Sequence, residues 1–300
     1  MRRMVRVFCF LFPGFLFCGS ALAQGSVPVL VSIAPQKYLV ERIAGDNLVQ
    51  VSTLLRPGAN PHTWEPGPEQ MRAVTAARLW FTIGLPFEES LLPRLKTDKL
   101  HVVSMIRGLK RLAPAPSLVA HDGSGQAQDG KEEHGEDLDP HVWLSPMLAR
   151  AMLPGVVEAL SEILPDKAGE LRVRAADLAR ELEELDAGIA EKLDALPTGK
   201  RSFLTLHPAW RYFAMNYGLE ELSISPDGRE PGPKSLQAVA DAAKERGLTC
   251  ILVEEQFYGS LAEAVASALG LRIVRVNPLG EDLLFVYRDI TDKIIASLKP

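Results

Sequence analysis

The sequence predicts an α/β protein: two β/α lobes with parallel sheets, joined by one long backbone helix. Three observations carry this. Short apolar strands alternate with helical segments in both halves of the chain, the rhythm of parallel sheets covered on both faces. One helical stretch near the centre, Asp166 to Leu196, is dense in Ala, Leu, Glu and Arg and stops at Pro197-Thr-Gly199. At about 30 residues it would be roughly 45 Å long, too long for a crossover inside one compact lobe. Its apolar positions also keep no strict heptad, which argues against a coiled coil.

The elements follow in order. Val29–Ile33 and Leu48–Leu55 read as strands around a helix from Pro35 to Ala44. A Pro- and Gly-rich loop runs from Arg56 to Pro68, then a helix to Ala77 and strands at Leu79–Ile83 and His101–Met105. Residues 113–139 are polar and acidic, include His121 and His134, and read as a mobile surface loop. Structure resumes at Pro140 with a helix behind Pro146. Past the long helix, strands are expected at Arg201–Thr205, Glu220–Ile224, Thr249–Glu254 and Arg272–Asn277. Helices are expected at Trp210–Tyr217, Ser235–Arg246, Ser260–Leu269 and Val286–Leu298. The domain reading is therefore a leader at 1–23, a first lobe at 24–164, a linker helix at 165–197 and a second lobe at 198–300.

The N-terminus carries Arg2, Arg3 and Arg6, an apolar run from Val7 to Phe17, and Ala21-Leu22-Ala23. A basic region, a short apolar region and an A-x-A site describe a secretory signal peptide cut after Ala23, and so a periplasmic protein. Cys9 and Cys18 leave with it. Cys250 alone cannot form an internal disulfide or a thiolate metal site, so metal chemistry must rest on His, Asp and Glu. With 33 basic and 38 acidic residues the net charge is −5, and no basic block occurs, which speaks against nucleic acid as a partner.

Three histidines occupy similar places. His62 lies in Asn60-Pro-His-Thr-Trp-Glu-Pro66, His141 in Asp139-Pro-His-Val-Trp143, and His207 in Leu204-Thr-Leu-His-Pro208 at a strand end. Open parallel sheets bind ligands beyond the carboxyl ends of their strands, so these loops can converge on one crevice. Three imidazoles plus an oxygen donor suit Zn²⁺, and the neighbouring prolines would stiffen the loops. Neutral imidazoles are required, so affinity should fall below about pH 6. Taken alone, each histidine reads first as a solvated or capped loop side chain.

The ordered set of segments resembles the substrate-binding proteins of the cluster 9 metal ABC transporters, the zinc- and manganese-binding family. It runs from Ala59-Asn-Pro-His62 through Asp139-Pro-His-Val-Trp143, His207-Pro-Ala-Trp-Arg-Tyr-Phe213 and Val253-Glu-Glu-Gln-Phe257 to Asn277-Pro-Leu-Gly280. The resemblance implies a class III (cluster A-I) solute-binding fold with His62, His141 and His207 as metal ligands. It implies Zn²⁺ as the transported ligand, a membrane permease of an ABC transporter as partner, a monomer, and no catalysis. His207 stands where manganese-selective members tend to carry Glu. Asn277 stands at the fourth ligand position, where the family commonly has Asp, and Glu255 or Glu281 is a candidate to compensate. Glu65 is a candidate to hold a histidine ring or to cap a helix starting at Pro66. The alternatives are a manganese-binding homologue, a metal-dependent adhesin, and a zinc hydrolase with Glu254 or Glu255 as base.

Overall fold

The computed structural model describes residues 26–45, 47–95, 99–113, 138–197, 201–224 and 233–298. The leader segment and most of the acidic stretch, with His121 and His134, lie outside the described residues. Among those residues no helix is long and apolar enough to cross a membrane.

The first sheet contains β1 (Val27–Val31), β2 (Val49–Thr53), β3 (Leu79–Thr82) and β4 (His101–Ser104) in the order β2-β1-β3-β4, every pair parallel. The crossovers are α1 (Ala34–Ala44), α2 (Pro68–Ala76) and α3 (Pro86–Leu91), the last too short to leave a period in the sequence. The second sheet repeats this plan with β5 (Ser202–Thr205), β6 (Glu220–Ser223), β7 (Cys250–Glu254) and β8 (Arg272–Val276), ordered β6-β5-β7-β8 and again parallel. Strand order reverses between the first and third strand of each sheet, which opens a crevice at their carboxyl ends. In the first sheet that place is filled: Gln36 Oε1 accepts the N–H groups of Ser32 and Ile33 while its Nε2 donates to Phe81. Beside it the buried Glu88 carboxyl accepts from Ile83, Gly84 and Leu85. In the second sheet the reversal point opens between His207, just past β5, and Glu254, at the end of β7.

In the chain, α4 (Pro146–Ile163) and α5 (Ala168–Asp194) separate the two sheets, the latter 27 residues or about 40 Å long. The expected start at Asp166 shifts because Pro165–Lys167 form a separate 3₁₀ turn. Leu171, Leu178, Leu182, Ile189 and Leu193 form the buried stripe of α5. Its first half is held to the first lobe by Arg42 to Glu181 at 2.6 Å and by Arg174 donating to the Ala44 carbonyl. Its second half meets the second lobe, where Tyr217 donates to Asp186 and Lys192 pairs with Asp292 of α9 (Leu283–Ser297).

The apolar core does not divide with the sheets. Leu30, Trp80 and Phe81 of the first sheet belong to one cluster with Leu160, Leu178, Phe203, Leu252 and Tyr287. A smaller core of Leu204, Leu222, Ile251 and Val253 covers the opposite face of the second sheet. Register sorts the two faces. Phe203 pairs with Glu221, and Thr205 with Ser223 and Leu252, so side chains at these positions and at Glu254 share the face toward the large core.

Candidate metal centre

Two histidines are presented by the same local device. In Asn60-Pro61-His62 the Asn60 side-chain oxygen accepts the His62 N–H at 2.9 Å, and in Asp139-Pro140-His141 the Asp139 Oδ1 accepts the His141 N–H at 2.9 Å. Asn and Asp favour this turn because a short polar side chain can bond the backbone two residues on, while the intervening proline has no N–H to compete. Asn277-Pro278-Leu279 is a third copy, Leu279 donating to Asn277 Oδ1 at 3.0 Å, with leucine in the place of the histidine. His207 uses a different turn, in which Ala209 donates to the His207 carbonyl. It is braced from below, where Trp210 N–H donates to Glu221 Oε1.

These turns bring the three rings together. Nε2 of His141 lies 3.3 Å from Nε2 of His62 and 3.3 Å from Nε2 of His207, and ring centroids are 4.8–5.3 Å apart. His141 and His207 are buried, at 5% and 4% exposure, and His62 is half-buried. Among the described residues these three are the cluster of His, Cys, Asp or Glu side chains able to hold a metal ion. Asp139 Oδ1 also lies 2.8 Å from His141 Nδ1. That contact places the proton on Nδ1 and leaves the Nε2 lone pair facing the other two rings, as carboxylates behind metal-binding histidines do. Trp143 lies against His141, and the Phe257 ring packs on His207 at 4.8 Å.

Burial, then the neighbouring His141, hold the His62 imidazole down at about 4. It therefore stays neutral well below the pH 6 expected of an ordinary imidazole, and its share of proton competition moves down accordingly. Two carboxyls beneath His207 go the other way. Burial pushes Glu221 up to about 8, against the bonds it accepts from Trp210 and Thr205. Glu254, fully buried, is raised well above the usual carboxyl range by burial, with Glu221 adding to it. Glu221 Oε2 and both Glu254 oxygens have no well-aligned hydrogen bond.

The expected carboxylate donors fall outside the histidine cluster. Glu255 is exposed and lines an inter-lobe crevice of about 250 Å³ with Lys37, Arg56, Asn277 and Glu281. Neither Glu255 nor Glu281 belongs to the histidine cluster. Glu65 is exposed and neither orients a ring nor caps a helix. The ring partner is Asp139, and α2 starts at Pro68, where Gln70 accepts the Gly67 N–H. Sequence reasoning passed over Asp139 and Glu221 as parts of this site and met Glu254 only as a candidate hydrolase base. A signal existed for Asp139, because Asx-Pro-His recurs in the chain.

Residues 29–298 match the family described as the periplasmic component A of the zinc-uptake complex, ZnuA. The chain belongs to that family. The ZnuA family comprises substrate-binding components of zinc uptake rather than enzymes, which removes the hydrolase reading. A crystal structure of ZnuA superposes with a TM-score of 0.81 at 32% identity, over 91% of this chain and 100% of that one. The zinc-binding protein AdcA of Streptococcus pyogenes serotype M3 is 28% identical over 269 residues, 86% of this chain and 51% of that protein. The chain thus spans about half the length of the curated relatives it matches. The periplasmic zinc-binding protein TroA of Treponema pallidum, 23% identical with a TM-score of 0.75 over 92% of this chain, shares the fold.

Proposed function

We propose that this chain captures Zn²⁺ outside the cytoplasm on His62, His141 and His207 and delivers it to the membrane permease of an ABC uptake system. The observation that carries the reading is the Nε2 spacing. Two nitrogens bound to one tetrahedral zinc at 2.0–2.1 Å lie about 3.3–3.4 Å apart, and the two measured separations are 3.3 Å. The rings are already placed, so little ordering entropy opposes binding.

Capture needs three side chains from separate turns and no reacting group. The fourth position is left to a small donor such as water. Asn277 has its Oδ1 turned to the Leu279 N–H, and Glu255 is exposed and outside the histidine cluster. The protein works as a monomer with no nucleic-acid partner, consistent with its net charge of −5. It reaches its compartment through the N-terminal signal, with cleavage after Ala23.

Competitive titration of the metal-free protein with Zn²⁺ and Mn²⁺, beside His207→Ala, tests this. One tight site preferring Zn²⁺ and weakened on the order of 100-fold or more by loss of one nitrogen is expected. Preference for Mn²⁺, or an unaffected variant, would overturn the assignment.

A further inference from the structure

We infer that Tyr212 is a positioning residue for metal binding, holding His141 in place through Asp139 from across the lobe interface. The inference rests on the zinc-capture reading above. Tyr212 lies in α6 (Arg211–Asn216), is 4% exposed, and sits five positions after His207 on the same short segment. Its hydroxyl donates to the Asp139 carbonyl at 2.8 Å and accepts the Leu112 N–H at 3.0 Å. Asp139 N–H in turn donates directly to the Leu112 carbonyl at 2.9 Å.

These three contacts form a recognisable unit. In an antiparallel pair, two facing residues exchange two N–H···O bonds. Leu112 and Asp139 make one of them directly and the other through the inserted hydroxyl. The hydroxyl therefore sets the separation and tilt of the Asp139 peptide. That peptide matters because the Asp139 side chain serves His141 twice, at the backbone N–H and at Nδ1. A phenylalanine at 212 leaves the Leu112 N–H and the Asp139 carbonyl either unpaired or free to close on each other. Either change rotates the Asp139 peptide and moves the carboxylate away from Nδ1. Tyr212 also fixes a distance between lobes, because His207 and Tyr212 share one segment while Asp139 and His141 share another.

A simple packing role predicts loss of stability alone. A positioning role predicts a loss of affinity that runs through Asp139. The experiment is a double-mutant cycle on the full chain with Tyr212→Phe and Asp139→Asn, read by competitive Zn²⁺ titration. Asparagine keeps Oδ1 as acceptor for the His141 N–H, as Asn60 does for His62, but turns the charged acceptor at Nδ1 into a weaker neutral one. Partners behind a metal ligand cost 10–100-fold when removed, and Tyr212 acts at one remove, so Tyr212→Phe should weaken zinc binding by about tenfold. In the Asp139→Asn background, where a weaker acceptor is left to misplace, the same change should cost clearly less, about threefold. The visible absorption of Co²⁺ bound in place of Zn²⁺ should shift in Tyr212→Phe, because the His141 ring turns. Unchanged affinity, or a loss equally large in both backgrounds, would overturn the inference while leaving zinc capture standing. A Tyr212→Phe protein that fails to fold, judged by circular dichroism, would overturn it in favour of a purely structural role. A wild-type protein that binds no Zn²⁺ would sink the capture reading itself and this inference with it.

Discussion

The depressed His62 imidazole makes a quantitative demand on the metal-free protein. Its folded value is about 4 against 6.5 for an ordinary histidine, because burial and the adjacent His141 disfavour the cation. Above pH 6.5 both folded and unfolded chains hold it neutral. As pH falls through 6.5 the unfolded chain takes up a proton that the native chain refuses until about pH 4. The His62 contribution to stability is therefore full above pH 6.5, declines between 6.5 and 4, and levels off below. Linkage places the loss at about 2 kcal/mol between pH 8 and pH 5, and about 3 kcal/mol once pH 4 is passed. The perturbation is His62→Gln, which keeps a polar side chain but does not titrate. The assay is urea unfolding of both metal-free proteins at pH 8, 6.5 and 5. The wild type should lose about 2 kcal/mol relative to the variant over that range. Parallel curves would refute the reasoning, since they would mean that the native chain accepts the proton as readily as the unfolded one.

Other consequences are open to measurement. Trp143→Phe removes the buried bond from Trp143 Nε1 to the Pro278 carbonyl at 2.9 Å and leaves that carbonyl unpaired. A loss of about 2 kcal/mol in denaturant unfolding is expected, and a neutral result would mean the carbonyl finds another donor. Glu221→Gln should make the metal-free protein progressively more stable than wild type as pH rises from 4.5 to 8. The raised carboxyl holds a proton in the native state that the unfolded chain releases, so its contribution is full below 4.5 and is lost on the way to 8. Thermal unfolding at pH 5 and pH 8 reads the difference. Solution scattering of the metal-free and zinc-loaded protein should give matching profiles, because α5 and the common core join the lobes, and a large compaction on loading would contradict this.

The alternation of apolar runs with helical periods made the fold class legible, and strand and helix positions fell within a few residues of those found. The histidine loops were legible because proline and Asx flank the histidines for local reasons, and local reasons are what a sequence displays. The acids were not. Cys250–Glu254 is buried on both faces, so it shows no polar alternation to say which side each residue faces. Of the pair Glu254 and Glu255, the sequence made the exposed one the compensating candidate and gave the buried one no part in binding. Glu254 ends the buried strand, and Glu255 opens the 3₁₀ turn that follows it, at the surface. Glu221 and Tyr212 were hidden for another reason. Their partners lie 11 and 73 positions away, at Trp210 and Asp139, and no local pattern encodes such a meeting.

A receptor whose halves have separate cores can swing open and shut, and its affinity then includes the work of closing. Here Leu30 and Phe81 of one sheet share a core with Phe203 and Leu252 of the other, so prising the halves apart would expose packed side chains to water. The ion's way in and out must then lie in the side chains and turns around the three rings. Such a socket gives up its occupant only when something disturbs its rim. Release would be governed by whatever presses on the turns at His62, His141 and His207, and an undisturbed protein in solution should hold its ion with a long residence time.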